Sequence, residues 1–273
     1  MTFHQFLPGC WRGDREAWHA FLSSYTPLAL RLCSLYLPLP PPELMAFWQE
    51  SLLVLGANDY ERLRGLPQQA EREFLVGLRA FLLDSALPRL ASSQDAALPP
   101  APTLQTLGEL FQGLPLFHQE TLFLKLEGYS NATLEKMLKA TSTLGEKRLE
   151  RLRPEYAALL EEPGDKCFWP AAWLEITRSL RSVKQEACAS LRQLVRILDG
   201  QISWQKKTSI EEHMGGCLSC LEQWAALREI VFWLREAEPL PSEKVNSLLS
   251  SLPFSEEAKQ GKSVWRRLLT PES

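Results

Sequence analysis

A histidine and two cysteines lie close together in the stretch EEHMGGCLSCLEQWAAL, which spans residues 211–227. Cys217 and Cys220 form a C-x2-C pair, and His213 lies four residues before Cys217. Zinc prefers four nitrogen or sulfur ligands in a tetrahedron, and ligands that are close in sequence lower the cost of ordering the site. The H-x3-C spacing can place His213 and Cys217 on one side of a helix end and its turn. The stretch therefore predicts three ligands of a metal site.

A fourth ligand is available in Cys188, which completes the pattern C-x24-H-x3-C-x2-C. The spacing of apolar residues predicts that Cys188 lies on the preceding helix. Asp199 and Gly200 predict the turn that brings this helix back alongside His213, and the two glycines before Cys217 are expected to let the backbone bend. A closed Cys3His set leaves no position for water, so the predicted site is structural rather than catalytic.

Two alternatives to zinc remain open for these cysteines. They can be buried thiols without a metal, or a redox pair of the thioredoxin kind, although the βαβ context of such a pair is missing. The other three cysteines have no metal-like spacing and are expected to pack in the core: Cys10, Cys33 and Cys167.

Helices are expected to position all of these residues, because apolar residues recur at three- and four-residue spacing and strand-like alternation is nearly absent. Among 273 residues, 45% are hydrophobic and 23% charged, as in an ordinary globular protein. The net charge of −3 gives no general attraction to nucleic acid or anionic membranes. The chain shows neither a signal-peptide pattern nor an apolar run of about 18 residues. We therefore expect no membrane segment and a cytoplasmic location.

Breaks in the helical pattern divide the chain into five predicted segments. Proline clusters, an Ala/Pro-rich stretch and Gly-containing turns mark the boundaries. The segments are a helical domain at 1–90, a linker at 91–103, a helix-turn-helix unit at 104–160, a zinc-bearing module at 161–236 and a tail at 237–273.

The zinc-bearing stretch resembles a known family. The sequence CASLRQLVRILDGQISWQKKTSIEEHMGGCLSCLEQWAALREI, residues 188–230, is similar to the zinc-binding anti-sigma domain of bacteria. In that family a cysteine, an LDG turn and H-x3-C-x2-C recur together. The resemblance implies one structural Zn²⁺ held by Cys188, His213, Cys217 and Cys220. Family members wrap a sigma factor and keep it from RNA polymerase, and several sense oxidants through their thiolates.

Residues 13–153 carry a second resemblance, whose motifs are less specific. The stretch GDREAWHAFLSSYTPLALRLCSLYL, residues 13–37, is similar to the opening of extracytoplasmic-function sigma factors. Gln49 and Glu50 correspond to the Gln-Glu pair of their polymerase-binding helix, although Ala46 stands where the family usually has Asp. The stretch 114–153 resembles their promoter-reading helix-turn-helix domain, with the turn at LEGYS.

Basic residues are sparse where that family contacts DNA. The segment that corresponds to the promoter-melting helix offers only Arg79 and Arg89, and the first 124 residues contain no lysine. Since DNA affinity depends on neutralised phosphates, we expect weak DNA binding at most. Five residues can line one side of a recognition helix, and a solvated amphipathic face accounts for them equally well: Lys139, Lys147, Arg148, Arg151 and Arg153.

The combined prediction is an all-α protein with two small sigma-like helical domains, the second helix-turn-helix, followed by a three-helix zinc-binding anti-sigma-like module. It implies a transcription regulator whose zinc module holds the sigma-like domains in an inactive or compact state. The expected partner is the RNA polymerase core, or another sigma or anti-sigma protein. The alternative is an adaptor that binds a protein and no DNA. No catalytic motif or pairing of nucleophile and base occurs, so we expect no enzyme.

Overall fold

The computed structural model describes residues 2–90, 101–139, 165–167, 169–183 and 185–252. These residues form helices, turns and loops, and none of them lies in a strand, which confirms the all-α class. The helices of this part of the chain are α1 (Phe3–Trp11), α2 (Arg15–Tyr36), α3 (Pro41–Arg64), α4 (Glu71–Leu90), α5 (Leu104–Phe111), α6 (Leu116–Glu127), α7 (Asn131–Leu138), α8 (Pro170–Ser182), α9 (Leu191–Leu198), α10 (Trp204–Met214), α11 (Leu218–Glu236) and α12 (Ser242–Ser251).

Side-chain caps set the start of the helices that matter for the site. Ser130 accepts a hydrogen bond from the Thr133 amide and begins α7. Ser190 accepts one from the Gln193 amide, while the Gln193 side chain accepts from the Ser190 amide, so α9 begins with a capping box. Such caps satisfy amides that have no partner inside the helix.

The residues group into two compact units. Unit 1 comprises Met1–Leu32, Leu39–Leu78 and Trp233–Ser273, and unit 2 comprises Cys33–Pro38 and Arg79–Phe232. Each unit combines residues from more than one of the five segments predicted from the sequence, and the segment boundaries stay predictions. Residues 91–100 of the linker and 253–273 of the tail lie outside the described residues.

Unit 1 has an aromatic core. The rings of Phe3, Phe21, Tyr25 and Phe74 are buried and contact one another at centroid distances of 5.2–6.2 Å. Aromatic pairs in tilted or edge-to-face arrangements stabilise a core beyond the burial of their area. The Tyr25 hydroxyl donates to Glu71 at 2.7 Å, so the one polar atom of this core is also satisfied.

The C-terminal part of unit 1 contacts α2 and α3. The Leu240 amide donates to the Ser23 carbonyl at 2.8 Å, and the Ser23 hydroxyl donates to the Leu240 carbonyl at 3.2 Å. At the end of α12, the Ser251 hydroxyl accepts a hydrogen bond from the Gln49 amide group at 3.3 Å. The segment 240–251 therefore lies against α2 and α3, including one of the two residues predicted to bind polymerase.

Helix α6 lies at the centre of unit 2. All residues from Gln119 to Glu127 are buried, and Phe123 contacts the ring of Trp173 from α8 at 5.1 Å. The helix ends at Gly128, whose φ of 119° belongs to the left-handed region, and α7 follows after two residues. The turn predicted at LEGYS thus joins α6 and α7, whereas the predicted recognition helix lies outside the described residues.

Replacing Gly128 by alanine is expected to destabilise unit 2 by more than about 2 kcal/mol. An L-residue is strained at this φ, and an added Cβ would lie 2.4 Å from the Lys166 carbonyl oxygen, a backbone atom that cannot turn aside. The matched control is Gly108→Ala within α5, where a Cβ meets nothing within 4 Å and alanine should stabilise the helix. Urea denaturation of both variants measures the difference, and equal midpoints would contradict the expectation.

Candidate metal centre

The structure brings together the four residues predicted to bind metal. One ligand atom from each of Cys188, His213, Cys217 and Cys220 lies within 4.8 Å of the others, and none of these cysteines forms a disulfide bond. No other group of three or more metal-binding side chains occurs among the described residues. The four side chains could bind one metal ion, and the prediction that they form one Cys3His cluster is confirmed.

The distances in the cluster suit a tetrahedral metal. The sulfur atoms of Cys188 and Cys217 are 3.8 Å apart. Zinc–sulfur bonds of about 2.3 Å at a tetrahedral angle separate two sulfurs by about 3.8 Å, whereas a disulfide bond needs about 2.0 Å. The separation of this sulfur pair therefore fits two ligands of one ion, and it is too long for a disulfide bond.

His213 supplies an independent indication. Its Nε2 atom is buried and has no hydrogen-bond partner in the part of the chain that the structure describes. A buried polar atom without a partner is costly in a folded protein, and a metal ion would satisfy it. The donor set and the geometry thus both fit a metal.

Three of the ligands are placed by the junction of α10 and α11. His213 lies in the last turn of α10, Cys217 directly precedes α11, and Cys220 lies in its first turn. The loop is closed by a hydrogen bond from the Gly216 amide to the His213 carbonyl at 3.1 Å.

Cys188 is placed differently from the prediction. It lies in a turn between α8 and α9, so the prediction that Cys188 itself lies on a helix is wrong. The reason is the capping box at Ser190, which starts a new helix two residues after the cysteine. The Gln185 amide donates to the Cys188 sulfur at 3.4 Å and fixes the turn.

The turn at Asp199 and Gly200 is as predicted, because Gly200 has a φ of 67° and joins α9 to α10. Gly215 and Gly216 do not use their conformational freedom. Gly215 has an ordinary right-handed conformation, with φ −59° and ψ −17°, and neither glycine has a positive φ. An added Cβ at either position would meet no atom closer than 3.4 Å. The bend between His213 and Cys217 therefore needs no glycine.

The sulfur atom of Cys220 lies in an environment that opposes an uncompensated charge. Burial is the main cause that raises the pKa of the Cys220 thiol, to about 12, and the neighbouring thiols of Cys188 and Cys217 add to it. Metal binding needs the thiolate form and releases the protons. Three thiolates at this spacing are therefore stable only together with a cation.

Helices α9 and α10, which connect Cys188 to His213, contribute few side chains to a hydrophobic core. Among the residues of α9 and α10, only Leu194, Ile197 and Met214 are buried. Trp204 at the start of α10 is 77% exposed. Three buried side chains are few to offset the entropy of ordering such a segment. Its order therefore depends on the four ligands.

The loop of the cluster also contacts α6. Gln119 is buried, and its side-chain amide donates to the Gly215 carbonyl at 2.9 Å. The same amide group donates to the carbonyls of Phe111 and Leu114. One glutamine side chain therefore joins the segment between α5 and α6 to the loop that carries the ligands.

The other predicted site residues are dispersed. Gln49 is half-buried and bound to Ser251, and Glu50 is exposed on α3. Lys139 is exposed at the end of α7 and has a left-handed φ of 53°. The remaining predicted DNA contacts lie outside the described residues: Lys147, Arg148, Arg151 and Arg153.

Unit 2 also contains a buried charged cluster that the sequence patterns do not predict. Arg79 is 1% exposed and forms ion pairs with Glu127, Glu222 and Glu229. The available signal was an arginine within the otherwise apolar run FLVGLRAFLL, since a charge at such a position is buried only with partners.

Comparison with protein-family models, curated proteins and solved structures finds no match for this chain. No helix in the described part of the chain is both long and apolar enough to cross a membrane.

Proposed function

We propose that this protein is a zinc-dependent transcription regulator of the bacterial cytoplasm, in which a fused zinc module keeps a sigma-factor-like half in an inactive, closed state. The observation that carries the proposal is the Cys3His cluster, whose loop is hydrogen-bonded to the helix that begins the predicted helix-turn-helix. The partner would be the RNA polymerase core, or another sigma or anti-sigma protein.

Zinc suits the proposed centre better than other common ions. Three sulfurs and one imidazole nitrogen form a soft donor set, which calcium and magnesium avoid in favour of oxygen. Four protein ligands complete a tetrahedron, so the ion would have no open position for substrate and would serve structure. This role agrees with the small core of α9 and α10.

Two contacts support a closed state. In unit 1, Gln49 of the predicted polymerase-binding pair is hydrogen-bonded to Ser251 of α12, so this side chain is engaged within the chain. In unit 2, Gln119 of α6 is buried, and its side-chain amide donates to the Gly215 carbonyl of the ligand loop. Disorder of the loop on loss of zinc would remove this contact between the loop and α6.

Co-elution with core RNA polymerase tests the function. We expect the zinc-loaded protein to elute apart from the polymerase and the zinc-free protein to elute with it, because in this proposal the folded zinc module keeps the sigma-like half inactive. Cys188→Ala should behave like the zinc-free protein, and Cys167→Ala, which changes a buried cysteine outside the cluster, like the zinc-loaded one. Absence of binding in both states, with the helical half still folded, would contradict the proposal.

Arg79 favours a second candidate, an adaptor that binds protein and no DNA. The segment that corresponds to the promoter-melting helix offers two arginines, and Arg79 is buried among three glutamates, where no phosphate can reach it. Titration of promoter DNA at several salt concentrations separates the candidates. Binding that falls as salt rises supports the regulator, and its absence at low salt supports the adaptor.

A further inference from the structure

The buried charged cluster in unit 2 joins four helices. Arg79 of α4 binds Glu127 at the end of α6 and two carboxylates of α11, Glu222 and Glu229. The side chains of the arginine and of all three glutamates are at most 2% exposed. Arg181 of α8 reaches the cluster through Glu222 at 3.4 Å.

The cluster holds more negative than positive groups. Three carboxylates face two guanidinium groups, and Arg181 also pairs with the exposed Asp84 at 2.7 Å. If every group were ionised, at least one negative charge would remain uncompensated away from water. Such a charge is costly, and a buried carboxyl group usually removes it by binding a proton.

The hydrogen bonds distinguish the carboxylates. Both oxygens of Glu229 have partners, since Oε2 accepts from Arg79 and Oε1 accepts from the Tyr129 hydroxyl. In Glu127, Oε1 accepts from both Arg79 and the Tyr36 hydroxyl, whereas Oε2 is buried without a partner among the described residues. Both oxygens of Glu229 are therefore hydrogen-bonded, whereas only one oxygen of Glu127 is.

We propose that Glu127 is a proton-binding site of the folded protein, and that unit 2 takes up protons there when it folds near neutral pH. Burial raises the pKa of Glu127 to about 7; Arg79 opposes this effect and the Glu229 charge adds to it. The groups that face Glu127, directly or through Arg79, are Tyr36, Arg79, Tyr129, Cys167, Arg181, Glu222 and Glu229. This inference does not depend on the zinc proposal.

The proton makes the stability of unit 2 fall as pH rises. The folded state binds the proton more tightly than the unfolded chain, in which the carboxyl has its ordinary pKa of 4.5. The stabilisation is complete below pH 4.5 and is lost as pH rises through 7. The equilibrium constant for unfolding should therefore be about tenfold larger at pH 8 than at pH 6 because of this group alone.

Urea denaturation at pH 6, 7 and 8 tests the site with Glu127→Gln, which keeps the shape and cannot titrate. All proteins carry equal saturating zinc, so that proton release by the metal ligands cancels when two proteins are compared. We expect the ratio of unfolding constants at pH 8 and pH 6 to be about tenfold smaller in Glu127→Gln than in the wild type. The control is Glu175→Gln, an exposed carboxylate of α8, which should keep the wild-type ratio. An unchanged ratio in Glu127→Gln overturns the proposal.

A second measurement needs no variant. In wild-type protein with ¹³C-labelled glutamate, one side-chain carboxyl carbon should titrate near pH 7 in NMR spectra of the zinc-loaded folded state. Titration of every glutamate well below pH 6 would overturn the proposal even if the Glu127→Gln variant failed to fold.

Discussion

Removal of the metal is expected to unfold residues 188–214 while the centre of unit 2 stays folded. The segment includes α9 and α10 and buries only Leu194, Ile197 and Met214 within these helices, whereas α6 is buried along most of its length. Structural zinc sites contribute about 10–16 kcal/mol of apparent binding free energy at pH 7. This binding free energy is larger than the stabilisation that three buried apolar side chains provide. Hydrogen exchange followed by mass spectrometry should show protection lost in α9 and α10 and retained in α6, α8 and α11.

A single ligand substitution should reproduce this pattern. Cys188→Ala removes a ligand on the turn before α9, and elemental analysis should show less than one zinc per chain. Cys167→Ala serves as the control, because it removes a buried thiol of the same unit and should keep one zinc per chain. If α9 and α10 stayed protected after verified removal of zinc, the metal would not be what orders them.

The metal ligands could be predicted from the sequence because three of the four lie close together at the junction of α10 and α11. The spacing of His213, Cys217 and Cys220 is fixed by a helix end, a turn and the start of the next helix, all of which are local. The prediction that Cys188 lies on a helix is wrong, although the sequence contains a pattern that marks the start of a new helix just after it. Ser190 and Gln193 form the S-x-x-Q signature of a capping box, which predicts that a helix begins there. This signature is better evidence for the helix boundary than the spacing of apolar residues, which continues across it.

The helical class was predictable for the same local reason, but the charged cluster was not. Arg79 meets its partners across 48, 143 and 150 residues of sequence, so no short-range pattern indicates which glutamates share it. Burial of α6 on all sides, which decides that Glu127 lies in the core, also depends on the tertiary fold. The sequence shows at most that Arg79 stands in an apolar helix and needs partners.

Replacement of Arg79 by alanine is expected to destabilise unit 2 by about 3–5 kcal/mol. The change removes the cation and leaves Glu127 and Glu229 buried, both of which bind the arginine directly. The control is Arg178→Ala on α8 of the same unit, where an exposed position should change stability by no more than about 0.5 kcal/mol. Urea denaturation at one pH and at saturating zinc gives the free energy of unfolding of each variant.

Replacing the cluster by neutral side chains shows whether Arg79→Ala loses stability because carboxylates are left unpaired or because the packing of the arginine is lost. In the triple variant R79M/E127Q/E229Q the arginine and the two carboxylates that bind it most closely are removed together, and groups of similar size take their places. Since the main penalty of breaking a buried ion pair comes from the charge left behind, the triple variant should be more stable than Arg79→Ala. Lysine at position 79 should recover little, because its single ammonium group cannot reach three carboxylates as the fork of an arginine does. If the triple variant were as unstable as Arg79→Ala, the arginine would stabilise unit 2 through packing of its side chain and not through its charge.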